Sequence, residues 1–309
     1  MVDLFVFKTI KINSHKGDYL VSFVNNSLSE LNSKKYLDSV FVIDSKVKNL
    51  FKEELKTILN ERRTIEIQAN EKNKSLNKFP KYIERLVELK IRRNQKLIAI
   101  GGGIIQDITC FLSSTLMRGI PWIFFPTTLL AQSDSCIGSK SSINSGNLKN
   151  ILGTFSPPEK VIIDINFLNS LDKKDILSGM GEMLKVHAIN SPESFNTISS
   201  SYSKIFCNPL KMKKFIYESL LMKKKLIEID EFDKGPRNIM NYGHSFGHAI
   251  ETVTKFKIPH GIAITIGMDL ANFVAVRLNI SNSTQFERMH KTLSQNYLSY
   301  NHIKIDSEE

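Results

Sequence analysis

Along the first half of the chain, short apolar runs alternate with amphipathic stretches. SVFVIDSKV (39–47) is a β-branched run ending at Asp44, which predicts a buried parallel strand followed by a turn. FPKYIERLVELKI (79–91) places its apolar residues at helical spacing. KLIAIGGGIIQDITCFLSSTLM (96–117) reads as strand, three glycines, helix. PWIFFPTTLLAQ (121–132) and KVIIDINFLNSL (160–171) each supply one more strand. Strands alternating with helices predict an α/β domain with a parallel sheet. From about Leu171 the period lengthens, and KDILSGMGEMLKVHAI, PLKMKKFIYESLLMKKKLIEID, HSFGHAIETVTKF and HGIAITIGMDLANFVAVRL all read as helices. The expected organisation is an α/β domain over 1–170 and an all-α domain over 171–309, with no internal repeat.

Composition narrows the partners. With 309 residues, 41% hydrophobic and 24% charged, the chain can bury a sizeable core. No apolar run approaches the roughly 20 residues of a membrane helix, so no membrane partner is expected. The N-terminal MVDLFVFKTIKINSHKGDYL lacks the pattern of a signal peptide. Cys110, Cys136 and Cys207 lie far apart with no CxxC, which predicts reduced thiols in a cytoplasmic protein and excludes a zinc knuckle. The net charge of +11 comes from scattered lysines without a nucleic-acid signature, so nucleic acid is not the expected partner. A small anionic ligand would instead require basic residues inside motifs.

Two motifs carry candidate chemistry. Gly101-Gly102-Gly103 lies between a predicted strand and helix, where backbone N–H groups can meet a phosphate; a plain tight turn is the other reading. Its spacing is not GxGxxG, and position 106 is Gln. Asp107 follows just inside the helix. In the second half, GMGEMLKVHAI, NYGHSFGHAIE and IPHGIAITIGM each bring a potential metal ligand: Glu182, His244 or His248, and His260. Two imidazoles and a carboxylate suit zinc, cobalt or iron and leave positions open for a substrate. His187, His244, His248 and His260 put four of the seven histidines in these stretches. At i, i+4, His244 and His248 share a helix face, and spacing alone does not choose between them. HxxxH lacks the internal Glu of HExxH, which disfavours a zincin-type protease.

Taken together, GGGIIQD, MRG, PTTLLAQSDS, GSKSSIN, LKNILGTF, IIDINFLNSL, GMGEMLK, KKKLIEIDEFDKGPRNIMNYGHSFGHAIE and HGIAITIGM resemble 3-dehydroquinate synthase and the other sugar-phosphate cyclases, from about residue 40 to 275. The resemblance implies an NAD-binding α/β domain and a helical metal-binding domain. It implies metal ligands Glu182, His244 and His260, with zinc or cobalt as the ion. His248 then serves in hydrogen bonding or proton transfer. It implies that Asp44, Glu71, Lys74, Gly102, Gly103, Asp107, Thr127, Thr128, Lys149, Phe167 and Ser170 bind NAD. It assigns Asp134, Lys140, Asn150, Lys185, Lys223, Arg237 and Asn241 to the substrate. It gives Arg118 to the phosphate of a neighbouring subunit, hence a homodimer. Four cations among these suit a substrate with both phosphate and carboxylate.

The implied reaction converts 3-deoxy-D-arabino-heptulosonate 7-phosphate to 3-dehydroquinate in the shikimate pathway of aromatic amino acid biosynthesis. It runs by transient oxidation, phosphate elimination, return of the hydride and aldol closure. The chain departs from the family pattern at Ile262 (usually Glu), at GSKSS (138–142, usually GGKTG), at Gln106 and Asn70 (usually Gly) and at SF (22–23, usually IG). An Asp-Lys-Lys motif expected further on is not found in NYLSYNHIKIDSEE. These departures keep open a different cyclase, such as one making a deoxy-inosose, or a non-catalytic NAD-binding relative; a polyol dehydrogenase shares the implied architecture but has no need of the basic pocket residues.

Overall fold

The computed structural model describes residues 7–60 and 63–303; the first six residues of the segment read for a leader and the last six of the chain lie outside them. The chain divides into two compact units, Met1–Ser170 and Leu171–Glu309.

Unit 1 is built on seven strands: β1 (Ile10–Ile12), β2 (Tyr19–Phe23), β3 (Val40–Asp44), β4 (Thr64–Ile67), β5 (Leu97–Gly101), β6 (Trp122–Pro126) and, past the hairpin of β7 (Ile143–Ser145) and β8 (Leu148–Leu152), β9 (Lys160–Ile163). The sheet order is β1-β2-β9-β6-β5-β3-β4, parallel throughout except for β1 against β2. LIAIG of β5 and WIFFP of β6 are buried at every position, as central parallel strands covered on both faces must be. Helices α1 (Ser27–Leu31), α2 (Ser45–Leu50), α3 (Lys56–Asn60), α4 (Phe79–Glu88) and α5 (Gly103–Thr115) connect the strands. Leu31, Tyr36, Phe41, Ile43, Ile98, Ile100, Phe125 and Phe167 share one core cluster. From β3 the chain steps outward to β4, then returns to the other side of β3 for β5. The order therefore reverses between β3 and β5. The carboxyl ends at such a reversal form the crevice where open α/β sheets bind ligands, and here those ends are Asp44 and Gly101.

Unit 2 is helical: α6 (Lys173–Asn190), α7 (Pro192–Ile205), α8 (Pro209–Ile229), α9 (His244–Val253), α10 (His260–Arg277) and α11 (Ser283–Tyr297). Helix α6 is buried continuously from Leu177 to His187 and packs against α7, α8, α10 and α11. The covered stretch includes the polar Ser178, Glu182, Lys185 and His187. Helix α8 starts at Pro209, with Asn208 accepting from the Lys211 N–H at 3.1 Å. Asn208→Ala is expected to cost about 1 kcal/mol in a urea-unfolding measurement; no change would mean the cap is already replaced by water.

Two helix crossings depend on glycine. A Cβ on Gly181 of α6 would overlap the Gly261 carbonyl oxygen of α10, and one on Gly261 would overlap that of Ser178. The Gly261 N–H donates to Ser178 Oγ at 3.0 Å. At the second crossing Gly243 takes φ +80°, and a Cβ there would stand 2.6 Å from Met268 Cγ and 2.8 Å from Ile264 O. The residues next to these glycines are Glu182, His260 and His244, so close backbone approach is what brings the three together.

Candidate functional site

In unit 1, Asp44, Gly102 and Gly103 stand at the sheet's reversal. Asp44 ends β3 and caps α2, accepting from Lys46 N at 3.1 Å and Ala69 N at 3.4 Å. Gly102 caps the 13-residue α5 and Gly103 opens it. A Cβ on Gly102 would press on Thr128 Cγ2 at 2.8 Å, so only glycine keeps this approach to the helix N-terminus open. Thr127 is buried, with its N–H on the Gly101 carbonyl. Gln106, at the position expected to be Gly, donates to the Ser135 carbonyl at 2.6 Å and accepts from Ser135 Oγ at 2.7 Å.

Lys74 joins much of the remainder. Its ammonium lies 3.1 Å from Asp107 Oδ2, 3.0 Å from Asn150 Oδ1 and 3.9 Å from Glu71 Oε2. Lys149 Nζ is also 3.9 Å from Glu71 Oε2. Asn144, which sequence reasoning missed, donates to Glu71 Oε2 at 2.8 Å and accepts from the Asn150 N–H at 2.9 Å. Asn150, expected at the substrate, thus sits in the network of the cofactor residues, at φ +55°. Phe167 is 2% exposed and edge-on to Phe51 at 5.2 Å, so its side chain belongs to the core. Ser170 Oγ donates to the Phe167 carbonyl at 2.8 Å.

Burial disfavours the charge on Asp107 and pushes its carboxyl up to about 6, against the pull of the Lys74 ammonium. A carboxyl raised on folding favours the folded state while protonated, below its ordinary value of 3.8, and that contribution is lost as pH rises through about 6. Unfolding of the parent and Asp107→Asn should therefore show the variant gaining relative stability between pH 4 and pH 7. Equal differences at both pH values would contradict the shift.

In unit 2, Glu182, His244 and His260 offer ligand atoms that all lie within 4.8 Å of one another. Glu182 is 2% exposed, and neither carboxylate oxygen finds a hydrogen-bond partner of good geometry among the described residues. The Lys185 ammonium pairs with Oε2, and His260 Nε2 is 3.5 Å from Oε1. A buried, ionised and under-bonded carboxylate beside two imidazoles fits a divalent cation such as zinc or cobalt. Burial opposes the Glu182 charge, but Lys185 and the neighbouring histidines hold its carboxyl well below the usual range. Burial and the Lys185 charge push His244 down to about 4, which leaves it neutral, as a ligand must be. Burial also opposes charge on His260, but bonds to Glu182 and Glu251 outweigh it and raise that ring to about 9.

His248 stands beside the cluster, its ring centroid 5.2 Å from His244 and 5.9 Å from His260. His187 lies elsewhere, bonded to Ser194 Oγ at 2.8 Å against Phe215. Lys185, Lys223 and Arg237 are all buried, at 3%, 6% and 7% exposure. Arg237 is steered by its bond to the Glu231 carbonyl at 2.8 Å. Asn241 closes the short turn Pro236–Asn241 before Gly243. Asp134 lies in the turn Ala131–Ser135, and Lys140 bridges to Phe155. Arg118 is exposed at φ +67°, next to Met117 at φ +51°.

A solved structure of 2-deoxy-scyllo-inosose synthase, complexed with carbaglucose-6-phosphate, NAD+ and Co2+, is similar at TM-score 0.85 and 25% identity, covering 97% of this chain and 84% of that one. The fold and the Glu-His-His cluster thus define a protein of the sugar-phosphate cyclase class. Family models for the 3-dehydroquinate synthase N-terminal and C-terminal parts match residues 64–178 and 179–309. A 3-dehydroquinate synthase of Pelagibacter ubique (strain HTCC1062) is 37% identical over 290 residues, 90% of this chain and 78% of that protein. One of Campylobacter concisus (strain 13826) is 38% identical over 255 residues, 82% of this chain and 73% of its own length. The chain belongs to the 3-dehydroquinate synthase family.

Proposed function

We propose that the protein is a 3-dehydroquinate synthase that converts 3-deoxy-D-arabino-heptulosonate 7-phosphate to 3-dehydroquinate and phosphate, using NAD and a divalent metal. The observation that carries this reading is the Glu182, His244 and His260 cluster in the same unit as the buried cations Lys185, Lys223 and Arg237. A polyol dehydrogenase needs the first but has no use for the second.

Glu182, His244 and His260 would hold the metal, which would supply Lewis-acid chemistry, and NAD would supply reversible hydride transfer with no net oxidation. Asp44 holds an adenosine ribose at the end of β3, and Gly102 and Gly103 admit a pyrophosphate to the start of α5. Lys74 fixes Asp107 and Asn150 in one arrangement. In unit 2, Lys185, Lys223 and Arg237 meet the phosphate and carboxylate of the substrate, with Asn241 orienting a hydroxyl. His248 moves a proton at an imidazole nitrogen.

A cytoplasmic setting is part of this reading, supported by the wide spacing of Cys110, Cys136 and Cys207 with no CxxC. So is a homodimer, in which the exposed Arg118 reaches a second copy. Sedimentation of the protein at micromolar concentration should give twice the 35.2 kDa of one chain; a monomer would remove Arg118 from the site. A second reading, another cyclase, is favoured by the similarity to 2-deoxy-scyllo-inosose synthase and by Ile262 in place of an acid. Offering the heptulosonate phosphate and glucose 6-phosphate separately decides between them: phosphate release from the first alone supports dehydroquinate formation, and release from the second alone overturns it.

A further inference from the structure

Helix α9 carries His244, His248 and Glu251 at i, i+4 and i+7, on one face. His260, the first residue of α10, meets that face. Its Nδ1 lies 3.1 Å from Glu251 Oε2, while its Nε2 is 3.5 Å from Glu182 Oε1. The ring is thus gripped at one nitrogen and turned toward the other metal ligands at the second. His244 is treated alike, its Nδ1 3.3 Å from the Tyr242 carbonyl. A carboxylate on the far nitrogen fixes the tautomer with its hydrogen on Nδ1, and it strengthens Nε2 as a donor to a cation.

We propose that Glu251 is a positioning residue of the metal centre, holding His260 Nδ1–H so that Nε2 joins Glu182 and His244. The proposal rests on the reading above only for the presence of a divalent ion. The same atoms suggest a rival arrangement, because His248, Glu251 and His260 also offer ligand atoms within 4.8 Å of one another. In that case Glu251 would bind a second ion. A neutral imidazole has a single lone pair to donate. With Nε2 committed to the Glu182 side, Nδ1 keeps its hydrogen, and Glu251 is its acceptor. For His260 to serve two ions, the ring would have to lose its second proton.

The test is a Co²⁺ titration of metal-free parent, Glu251→Ala and Glu251→Gln, followed by visible absorption and bound-metal stoichiometry, with the melting temperature of each apoprotein measured alongside. The parent is expected to bind one Co²⁺ per chain. Affinity should fall about 10–100-fold in Glu251→Ala. Glu251→Gln, whose amide oxygen still accepts from Nδ1–H, should recover part of that loss with a shifted visible band. Should the alanine variant fail to fold, Glu251→Met, similar in volume and without an oxygen acceptor, makes the same comparison. Unchanged Co²⁺ affinity, with or without a lower melting temperature, would overturn the proposal. So would a parent that binds two Co²⁺ and loses one in Glu251→Ala. No substrate enters the titration, so failure of the cyclase reading would leave its result intact.

Discussion

His244→Ala is expected to reduce phosphate release at least about 1000-fold, equivalent to roughly 4 kcal/mol of lost transition-state stabilisation. The loss should track metal content rather than folding. His244 is the imidazole beside Glu182 that burial and the Lys185 charge keep neutral, and its Nδ1 lies 3.3 Å from the Tyr242 carbonyl. Without it, two ligands remain where a functional divalent site keeps three. The matched control is His290→Ala. His290 is 46% exposed and paired with Asp269 at 2.7 Å, and it has no part in the cluster. That control should keep its metal and its rate. A His244→Ala protein that retains bound metal and turns over near the parent rate would remove His244 from the ligand set.

Gly261→Ala is the second large effect, and it acts through the backbone. The new Cβ would overlap the Ser178 carbonyl oxygen, which belongs to α6 and cannot rotate away as a side chain would. Overpacking of this kind costs about 3 kcal/mol, the upper part of the usual range. Because Gly261 follows His260, separation of the two helices also moves His260 away from Glu182. Both the melting temperature and the affinity for Co²⁺ should fall. Gly103→Ala is the contrast: its Cβ would meet only Ser135 Oγ, at 3.8 Å, so stability should barely change. Equal tolerance at both positions would mean that the α6–α10 crossing can open at little cost.

These two cases also show what the sequence makes legible. The central strands β3, β5, β6 and β9 stand out because burial on both faces leaves continuous apolar runs. Glu182, His244 and His260 stand out because each is flanked by a motif glycine, and the helix crossings explain why those glycines recur beside the cluster. Other features leave weaker marks. Strand β8 is exposed at every position, so no alternation betrays it. Helices α7 and α11 bury residues at helical spacing, Phe195, Ile198, Tyr202 and Ile205 in the first, but many of the positions between are serine, threonine or asparagine, which also suit loops. Lys74 meets Asp107 and Asn150 across 33 and 76 residues, which no local pattern encodes. Glu251 was in plain view in GHSFGHAIE, but a glutamate three residues after a histidine is ordinary on a solvated helix. Only the fold brings His260 to it. The i, i+4 pair posed the opposite problem: His244 and His248 look equivalent on the helix, and it is His244 that the fold groups with Glu182 of α6 and His260, within 4.8 Å.

The most direct test of the account follows phosphate release from 3-deoxy-D-arabino-heptulosonate 7-phosphate, with NAD⁺ and Co²⁺ or Zn²⁺ present, while NADH absorbance is recorded in the same cuvette. The account predicts many phosphates released per enzyme with no accumulating NADH, because the hydride taken is returned within each turnover. NADH rising in step with substrate consumed, or no phosphate from protein that has bound both NAD⁺ and metal, would contradict it.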